Sequence, residues 1–151
     1  MSTLDNSRRC LNNSSTTEYF KNIVEEYNEN KNRQICIDNC EEGGKMSPSI
    51  WGPKAWDFLH TLSFAYPDNP SEKEKESMFN FFNSLPDVLP CKMCAEHCRK
   101  NLSDIPPQVE SKNSLSRWLV DFHNEVNRQN EKPIFKYEDV KSLYQSSTCN
   151  H

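Results

Sequence analysis

The sequence predicts an all-α domain, a four-helix bundle with a short fifth helix across one end. Three observations predict this fold. From residue 47 onward, apolar residues recur at the three- and four-residue spacings of amphipathic helices. No segment alternates apolar and polar residues as a half-buried strand would, and the chain holds only three glycines. The connections between the helical segments are short, which is typical of a compact bundle.

The first two helices are delimited by capping residues and prolines. Ser49 is the candidate N-cap of the first helix, and Pro67 ends it. Ser71 and Glu74 have the spacing of a capping box, in which each side chain bonds the other residue's backbone N–H. We therefore expect the second helix to begin beside Ser71 and to stop before Pro86.

Three further helices follow. The third is predicted from near Pro90 to about Leu102, and residues 105–107, which include two prolines, break the chain. The fourth begins near Ser111, and after Pro133 a short fifth helix is predicted over residues 137–144. The apolar face of the fourth helix consists of Leu115, Trp118, Leu119, Phe122 and Val126.

The first 45 residues differ in composition from the rest of the chain. They are rich in Asn, Ser, Glu and Lys and end in a Gly-Gly pair, which favours a flexible arm with one short helix near residues 19–27. We expect the folded domain to span residues 46–146 and a tail to span residues 147–151. The hydrophobic content of 34% and the mean hydropathy of -0.90 agree with a segment outside the core.

Charge and hydropathy argue against several classes of protein. The net charge of -4 and the pI of about 5.6 do not favour a nucleic-acid-binding surface. No apolar run approaches the roughly 20 residues of a membrane-spanning helix, so we expect no membrane span. Residues 1–19 lack the apolar region of a secretory signal. Seven cysteines are many for such a chain, unless the protein makes disulfides or works where they are made.

Cys91 and Cys94 are the candidate catalytic pair. They are separated by two residues at the predicted start of the third helix, where unpaired amides and the helix dipole favour a thiolate. The spacing alone leaves three interpretations open: a redox-active disulfide, half of a zinc site, and two structural thiols. A zinc site would take its other ligands from Cys98, His97 and His123.

A polar stripe on the fourth helix predicts a bound ligand. His123 and Asn127 are four residues apart, and Asn124 and Asn127 are three apart, with Val126 beside them. Burying so many donors and acceptors requires partners, which a heteroaromatic ligand would supply.

Trp56 and His60 lie one turn apart on the first helix. Stacking against an aromatic ligand and packing in the core are equally good interpretations of this pair. The chain has no glycine-rich loop of the Rossmann or P-loop type, so a dinucleotide would have to be held by helix side chains.

In their order along the chain, these motifs resemble the Erv/ALR family of FAD-linked sulfhydryl oxidases. The resemblance covers roughly residues 47–146. It implies a helical bundle that holds FAD between its helices near the two cysteines, as a homodimer. The matching segments are Trp51–Leu62, Pro90–Cys94, Pro107–Ser111 with Arg117–Leu119, His123–Asn127 and Lys132–Phe135.

The resemblance also implies roles for individual residues. Cys94 would lie against the flavin ring and form the charge-transfer thiolate, and Cys91 would be the outer sulfur that meets incoming thiols. Tyr144 stands where the family commonly has a Trp. The positions that match FAD contacts are Trp51, Gly52, Lys54, Trp56, His60, Cys94, His123, Asn124, Val126, Asn127, Lys132 and Tyr144.

The chain departs from the family pattern at a second cysteine pair. Many relatives have cysteines where this chain has Val120 and Tyr137, so the resemblance implies that this disulfide is absent here. We expect the last helix to be held by packing instead, for example by Phe135, Val140 and Leu143. Viral members of the family tend to be minimal in the same way.

The other cysteines have separate expectations. Family members often carry a shuttle disulfide on a mobile arm, and Cys36 and Cys40 are candidates for it; an inert tail and a bridge between subunits are the alternatives. Cys98 is expected to be a buried structural thiol. The sequence does not decide the partners of Cys10 and Cys149.

The activity that the resemblance implies is the oxidation of thiols in protein substrates to disulfides, with oxygen reduced to hydrogen peroxide. The alternative is a zinc-binding helical module without redox activity. A flavin-free thiol exchanger is disfavoured because no βαβ pattern is present. The mitochondrial intermembrane space and a viral assembly site in the cytoplasm both suit such an oxidase.

Overall fold

The computed structural model describes residues 47–145. The predicted arm, with Cys10, Cys36 and Cys40, and the tail, with Cys149, lie outside the described residues. Within residues 47–145 the structure has five helices and no strand, so the predicted all-α fold is confirmed. The helices are α1 (Pro48–Ala65), α2 (Glu72–Val88), α3 (Lys92–Asp104), α4 (Lys112–Gln129) and α5 (Tyr137–Gln145).

Helix α1 begins two residues earlier than predicted. Its N-cap is Ser47, whose hydroxyl oxygen accepts a hydrogen bond from the backbone N–H of Ser49 at 3.3 Å. The prediction of Ser49 as the cap was wrong because Pro48 fits the first helical turn, where its missing N–H costs nothing and its φ is preset. The capping box of Ser71 and Glu74 at the start of α2 is confirmed.

The prediction that α2 stops before Pro86 was also wrong, because the helix continues to Val88. A proline removes one helical hydrogen bond and crowds the preceding turn. Here it lies in the last turn, where few bonds follow it, and the backbone N–H of Leu89 still donates to the carbonyl of Leu85 at 3.2 Å. The Pro86 ring is buried, so packing offsets part of this loss.

The main core lies between α1, α2, α3 and α4. Phe82 of α2 meets the ring of Trp118 edge-on at 4.8 Å, and the Trp118 indole N–H donates to the carbonyl of Ile105 at 3.0 Å. Full burial of a Leu or Phe side chain stabilises a fold by about 1.5–3 kcal/mol. The buried members of this core are Leu59, Tyr66, Phe82, Leu102, Val109, Leu115, Trp118, Leu119 and Phe122.

Helix α5 is held by a second core. Phe135, Val140 and Leu143 all belong to it, as predicted, together with Val120, Tyr144, Phe64 and Tyr137. Polar contacts that the sequence did not predict add to the packing. The Tyr137 hydroxyl lies 3.0 Å from the Ser116 hydroxyl, and the Arg117 guanidinium lies 3.9 Å above the Tyr137 ring. Within residues 47–145, none of the helices has the length and apolar character needed to cross a membrane.

Candidate functional site

Cys91 and Cys94 form a disulfide across the first turn of α3. Cys91 is the N-cap of this helix, and its sulfur accepts a hydrogen bond from the Cys94 backbone N–H at 3.2 Å. Cys91 is only 3% exposed, whereas Cys94 is half-buried. A disulfide at a helix N-terminus can open to a thiolate that the terminal amides stabilise, which is the arrangement that redox chemistry needs.

A pair of buried imidazoles joins α1 to α4. His60 Nε2 lies 3.0 Å from His123 Nδ1, so one ring donates and the other accepts. The indole ring of Trp56 stacks on His123 at 3.8 Å, with an angle of 4° between the planes. The structure thus brings Trp56 and His60 of α1 together with His123 of α4, although His60 and His123 are 63 residues apart in the sequence.

Burial keeps both imidazoles uncharged. It lowers the pKa of His60 from 6.5 to about 3, because no water solvates the imidazolium. The pKa of His123 is also well below its ordinary value, first through burial and then through repulsion by a charged His60 and by Lys132. At neutral pH both imidazoles are therefore uncharged aromatic rings that still form a hydrogen bond with each other.

These lowered pKa values predict a pH dependence of stability. The unfolded chain protonates His60 and His123 near pH 6.5 and the folded chain does not, so acidification stabilises the unfolded state. We expect the free energy of unfolding to be constant above about pH 7 and to fall below about 6.5, by up to about 1.4 kcal/mol per pH unit for each imidazole.

Urea unfolding at pH 7, 6 and 5 measures this effect. The carboxylates contribute at lower pH: hydrogen bonds with Ser71, for example, hold the pKa of Glu74 below its ordinary 4.5. A free energy of unfolding that does not change between pH 7 and 5 would contradict an uncharged pair.

The Asn124 side chain forms hydrogen bonds with the backbone of Phe135. Its side-chain N–H donates to the carbonyl of Phe135 at 2.9 Å, and its side-chain oxygen accepts from the backbone N–H of Phe135 at 2.8 Å. This clamp fixes the connection between α4 and α5 and sets the Phe135 ring edge-on against His123 at 5.0 Å. Asn124 was predicted as a ligand contact, but here both of its polar atoms are already engaged.

Two other buried polar groups are candidates for contact with a ligand. The Asn127 side-chain N–H₂ and the Trp51 indole N–H are buried and have no hydrogen-bond partner among residues 47–145. Leaving such a donor unsatisfied costs about 1–3 kcal/mol, so the arrangement favours a ligand with acceptor atoms. Beside Trp51, a Cβ on Gly52 would have no atom within 4 Å other than those of its chain neighbours and its own helix backbone, which leaves open space along α1.

The remaining predicted contacts differ in exposure. Tyr144 is buried, stacks on Phe64 at 5.3 Å and donates its hydroxyl to Asp57 at 2.9 Å. Burial raises the pKa of Tyr144, and so does the neighbouring Asp57 carboxylate. Lys54 and Lys132 are exposed, and the backbone N–H of Lys132 donates to the Asn127 carbonyl at 2.7 Å. Val126 is half-buried on α4.

The described part of the chain contains no set of ligands for the zinc site of the alternative interpretation. Among residues 47–145, no group of three or more His, Cys, Asp or Glu side chains is placed to hold a metal ion. Cys91 and Cys94 are joined to each other, and His123 is engaged with His60 and Trp56.

Sequence reasoning missed the partners of several site residues. Asp57, which bonds Tyr144, lies within the Trp51–Leu62 segment but was not singled out. Asn101 of α3 and Gln129 of α4 bond each other at 3.2 and 2.8 Å and were not singled out. The one available signal was the spacing of Asn101, which lies seven residues after Cys94 and therefore on the same face of α3.

Comparison with known proteins shows the family of this chain. Residues 53–145 match the Erv1 / Alr family. The mitochondrial FAD-linked sulfhydryl oxidase ERV1 of Saccharomyces cerevisiae is 37% identical over 84 residues, which are 56% of this chain and 44% of the yeast protein. This chain therefore matches less than half the length of that relative.

A viral relative and a solved structure are similar over larger shares. The FAD-linked sulfhydryl oxidase of an African swine fever virus isolate is 32% identical over 100 residues, which are 66% of this chain and 84% of the viral protein. The crystal structure of the FAD binding domain of Erv1 from Saccharomyces cerevisiae aligns with a TM-score of 0.65 and 31% identity, over 69% of this chain and 99% of that domain. Because residues 53–145, more than half of its length, match this family, the chain belongs to the Erv1 / Alr family.

Proposed function

We propose that this chain is a FAD-linked sulfhydryl oxidase, which forms disulfides in thiol-containing proteins and passes the electrons to oxygen, giving hydrogen peroxide. The observation that carries the proposal is the Cys91–Cys94 disulfide at the N-terminus of α3. Cys98, one turn after Cys94, packs on the core that Trp56 also contacts. The helix that begins at the disulfide and the helix that carries Trp56 thus contact one core.

The residues of the site fit FAD. Trp56 and the two imidazoles form an uncharged aromatic surface, against which a flavin or adenine ring can pack. Asn127 and Trp51 offer N–H groups that lack partners among the described residues, and FAD is rich in acceptor atoms. Gly52, Lys54, Val126, Lys132 and Tyr144 complete the proposed set. When bound, FAD supplies the acceptor for two electrons and their transfer to oxygen.

The protein's part begins with thiol–disulfide exchange. A substrate thiolate attacks the sulfur of Cys91; a mixed disulfide forms, and Cys94 leaves as a thiolate that the first turn of α3 stabilises. A second substrate thiol then attacks the mixed disulfide, which yields the substrate disulfide and releases Cys91 as a thiol. Since Cys91 is 3% exposed, groups that cover it must move before a protein thiol can reach its sulfur.

The partners belong to the same proposal. A homodimer is supported by apolar side chains that remain exposed on α1 and α2, namely Ile50, Phe58, Phe79 and Val88. Sedimentation equilibrium would measure the oligomeric state. Cys36 and Cys40 are proposed to relay electrons from substrates to Cys91. Comparing a Cys36→Ser/Cys40→Ser protein with the wild type on a protein thiol substrate would test the relay.

Flavin content and oxygen consumption test the function directly. We expect the purified protein to be yellow, to release flavin on denaturation in an amount close to equimolar with the chain, and to consume oxygen when a dithiol is added. Hydrogen peroxide should appear in proportion to the oxygen consumed. A colourless protein that takes up no FAD from solution would refute the proposal, and bound zinc in such a preparation would favour the zinc-binding alternative.

A further inference from the structure

A reciprocal pair of amides joins α3 to α4. The Asn101 side-chain N–H donates to Gln129 Oε1 at 3.2 Å, and the Gln129 side-chain N–H donates to Asn101 Oδ1 at 2.8 Å. Asn101 is 2% exposed, and Gln129 is an exposed residue at the end of α4. Both polar atoms of a buried amide are therefore satisfied by one side chain of the neighbouring helix.

The pair links the two elements that the proposed reaction must hold together. Cys94, Cys98 and Asn101 follow one another at four and three residues, so they lie on one face of α3. On the other side, Gln129 lies two residues after Asn127, on the same rigid helix. The amide pair thus connects the helix that begins at the disulfide to the helix that carries the ligand site.

Directional bonds set the register of two helices more strictly than apolar contacts do. Leu and Phe side chains tolerate a sliding of one helix past another, because dispersion has little directionality. A shift of α3 would leave the Asn101 amide buried without its partner, which is unfavourable in a low-dielectric interior. Gln129 is itself restrained, since its N–H₂ also lies 3.3 Å from Glu125 Oε1.

We propose that Asn101 and Gln129 are a positioning pair that holds the Cys94 sulfur at its working distance from the FAD ring. The inference rests on the proposed function. In the step concerned, the Cys91–Cys94 dithiol would become the disulfide and release two protons, and FAD, when bound, would accept the two electrons. Contact between sulfur and ring controls this step, and a misplacement of about 1 Å can reduce a rate about 100-fold.

Three variants and one control test the pair. Asn101→Leu and Gln129→Ala each remove the amide bonds, and the double variant Asn101→Gln/Gln129→Asn exchanges the two amides across the helix interface. Asn83→Leu is the matched control, because Asn83 is exposed and donates only within α2, to the Phe79 carbonyl. The readouts are FAD content, the rate of flavin reduction by a dithiol without oxygen, and the long-wavelength absorbance of a thiolate against flavin.

We expect Asn101→Leu and Gln129→Ala to retain FAD, to reduce it at least about 10-fold more slowly, and to lose most of the long-wavelength absorbance. The exchanged pair should recover most of both signals, and the control should equal the wild type. Should Asn101→Leu fail to fold, Gln129→Ala decides, since its residue is exposed. The inference would be overturned if the single variants reduced flavin at the wild-type rate and kept the wild-type absorbance. It would also be overturned if the double variant reduced flavin as slowly as the single variants do. Absence of FAD from the wild type would instead overturn the proposed function.

Discussion

A Cys94→Ser substitution is expected to reduce dithiol oxidation to the rate without enzyme, while FAD stays bound. A serine hydroxyl does not ionise in the neutral range, so it can neither form the disulfide with Cys91 nor donate electrons as a thiolate. The substitution changes a single half-buried atom and leaves the N-cap bond from the backbone N–H of residue 94 to the Cys91 sulfur available. Oxygen consumption with a dithiol and the flavin absorbance of the purified variant measure the two parts of this prediction.

Cys98→Ser is the matched control on the same helix. Cys98 is a half-buried free thiol one turn after Cys94, and burial raises its pKa to about 11. It is therefore protonated at neutral pH and is a poor nucleophile. We expect Cys98→Ser to keep its oxidase activity. A Cys94→Ser protein that oxidises dithiols at the wild-type rate would remove Cys94 from the mechanism, and loss of activity in Cys98→Ser alone would move the assignment to that residue.

Asn124→Leu and Asn127→Leu are expected to separate folding from cofactor binding, although both remove an amide of the same α4 stripe. Asn124→Leu removes the two hydrogen bonds that the Asn124 side chain makes with the Phe135 backbone N–H and carbonyl. We expect the free energy of unfolding of the FAD-free protein to fall by about 2–4 kcal/mol. The connection before α5 should loosen as well, because the clamp holds Phe135 against His123.

Asn127→Leu should have the opposite effect. Its side-chain N–H₂ makes no hydrogen bond among the described residues, so the substitution removes an unsatisfied buried donor. The FAD-free protein should be as stable as the wild type or more stable, while FAD should bind about 10-fold more weakly through loss of one hydrogen bond. Urea unfolding without FAD and fluorescence titration with FAD measure the two quantities. An equal loss of stability in both variants would show that Asn127 is a structural residue and has no role in the ligand site.

Most helices of this fold follow from local signals. The capping box of Ser71 and Glu74 predicts the start of α2, and the structure contains it. The segment 137–144 predicts α5. Local rules failed where position within the helix mattered more than residue type. Pro48 begins α1, and Pro86 lies in the last turn of α2, because a proline is costly in the middle of a helix and tolerated near its ends.

The site was predictable in its residue types and not in its contacts. His60, His123 and Trp56 were expected around one ligand, and the structure places their rings together. Asn124 and Asn127 look equivalent on the same stripe, yet the Asn124 side chain bonds the backbone of Phe135. The Asn127 side-chain N–H₂ has no hydrogen-bond partner among residues 47–145. The spacing of residues on a helix gives the direction of each side chain, but what lies in that direction depends on the next element.

By itself, the sequence determined the helical class, the helix starts and ends to within a few residues, and the placement of Cys91 and Cys94 within one turn. These features depend on residues near one another in the chain, whose propensities and capping bonds act locally. Only the tertiary structure decided that Asn101 meets Gln129 across 28 residues and that Tyr144 meets Asp57 across 87. Such bonds form over about 3 Å, so they depend on the angle and register at which whole helices pack, which no local spacing encodes.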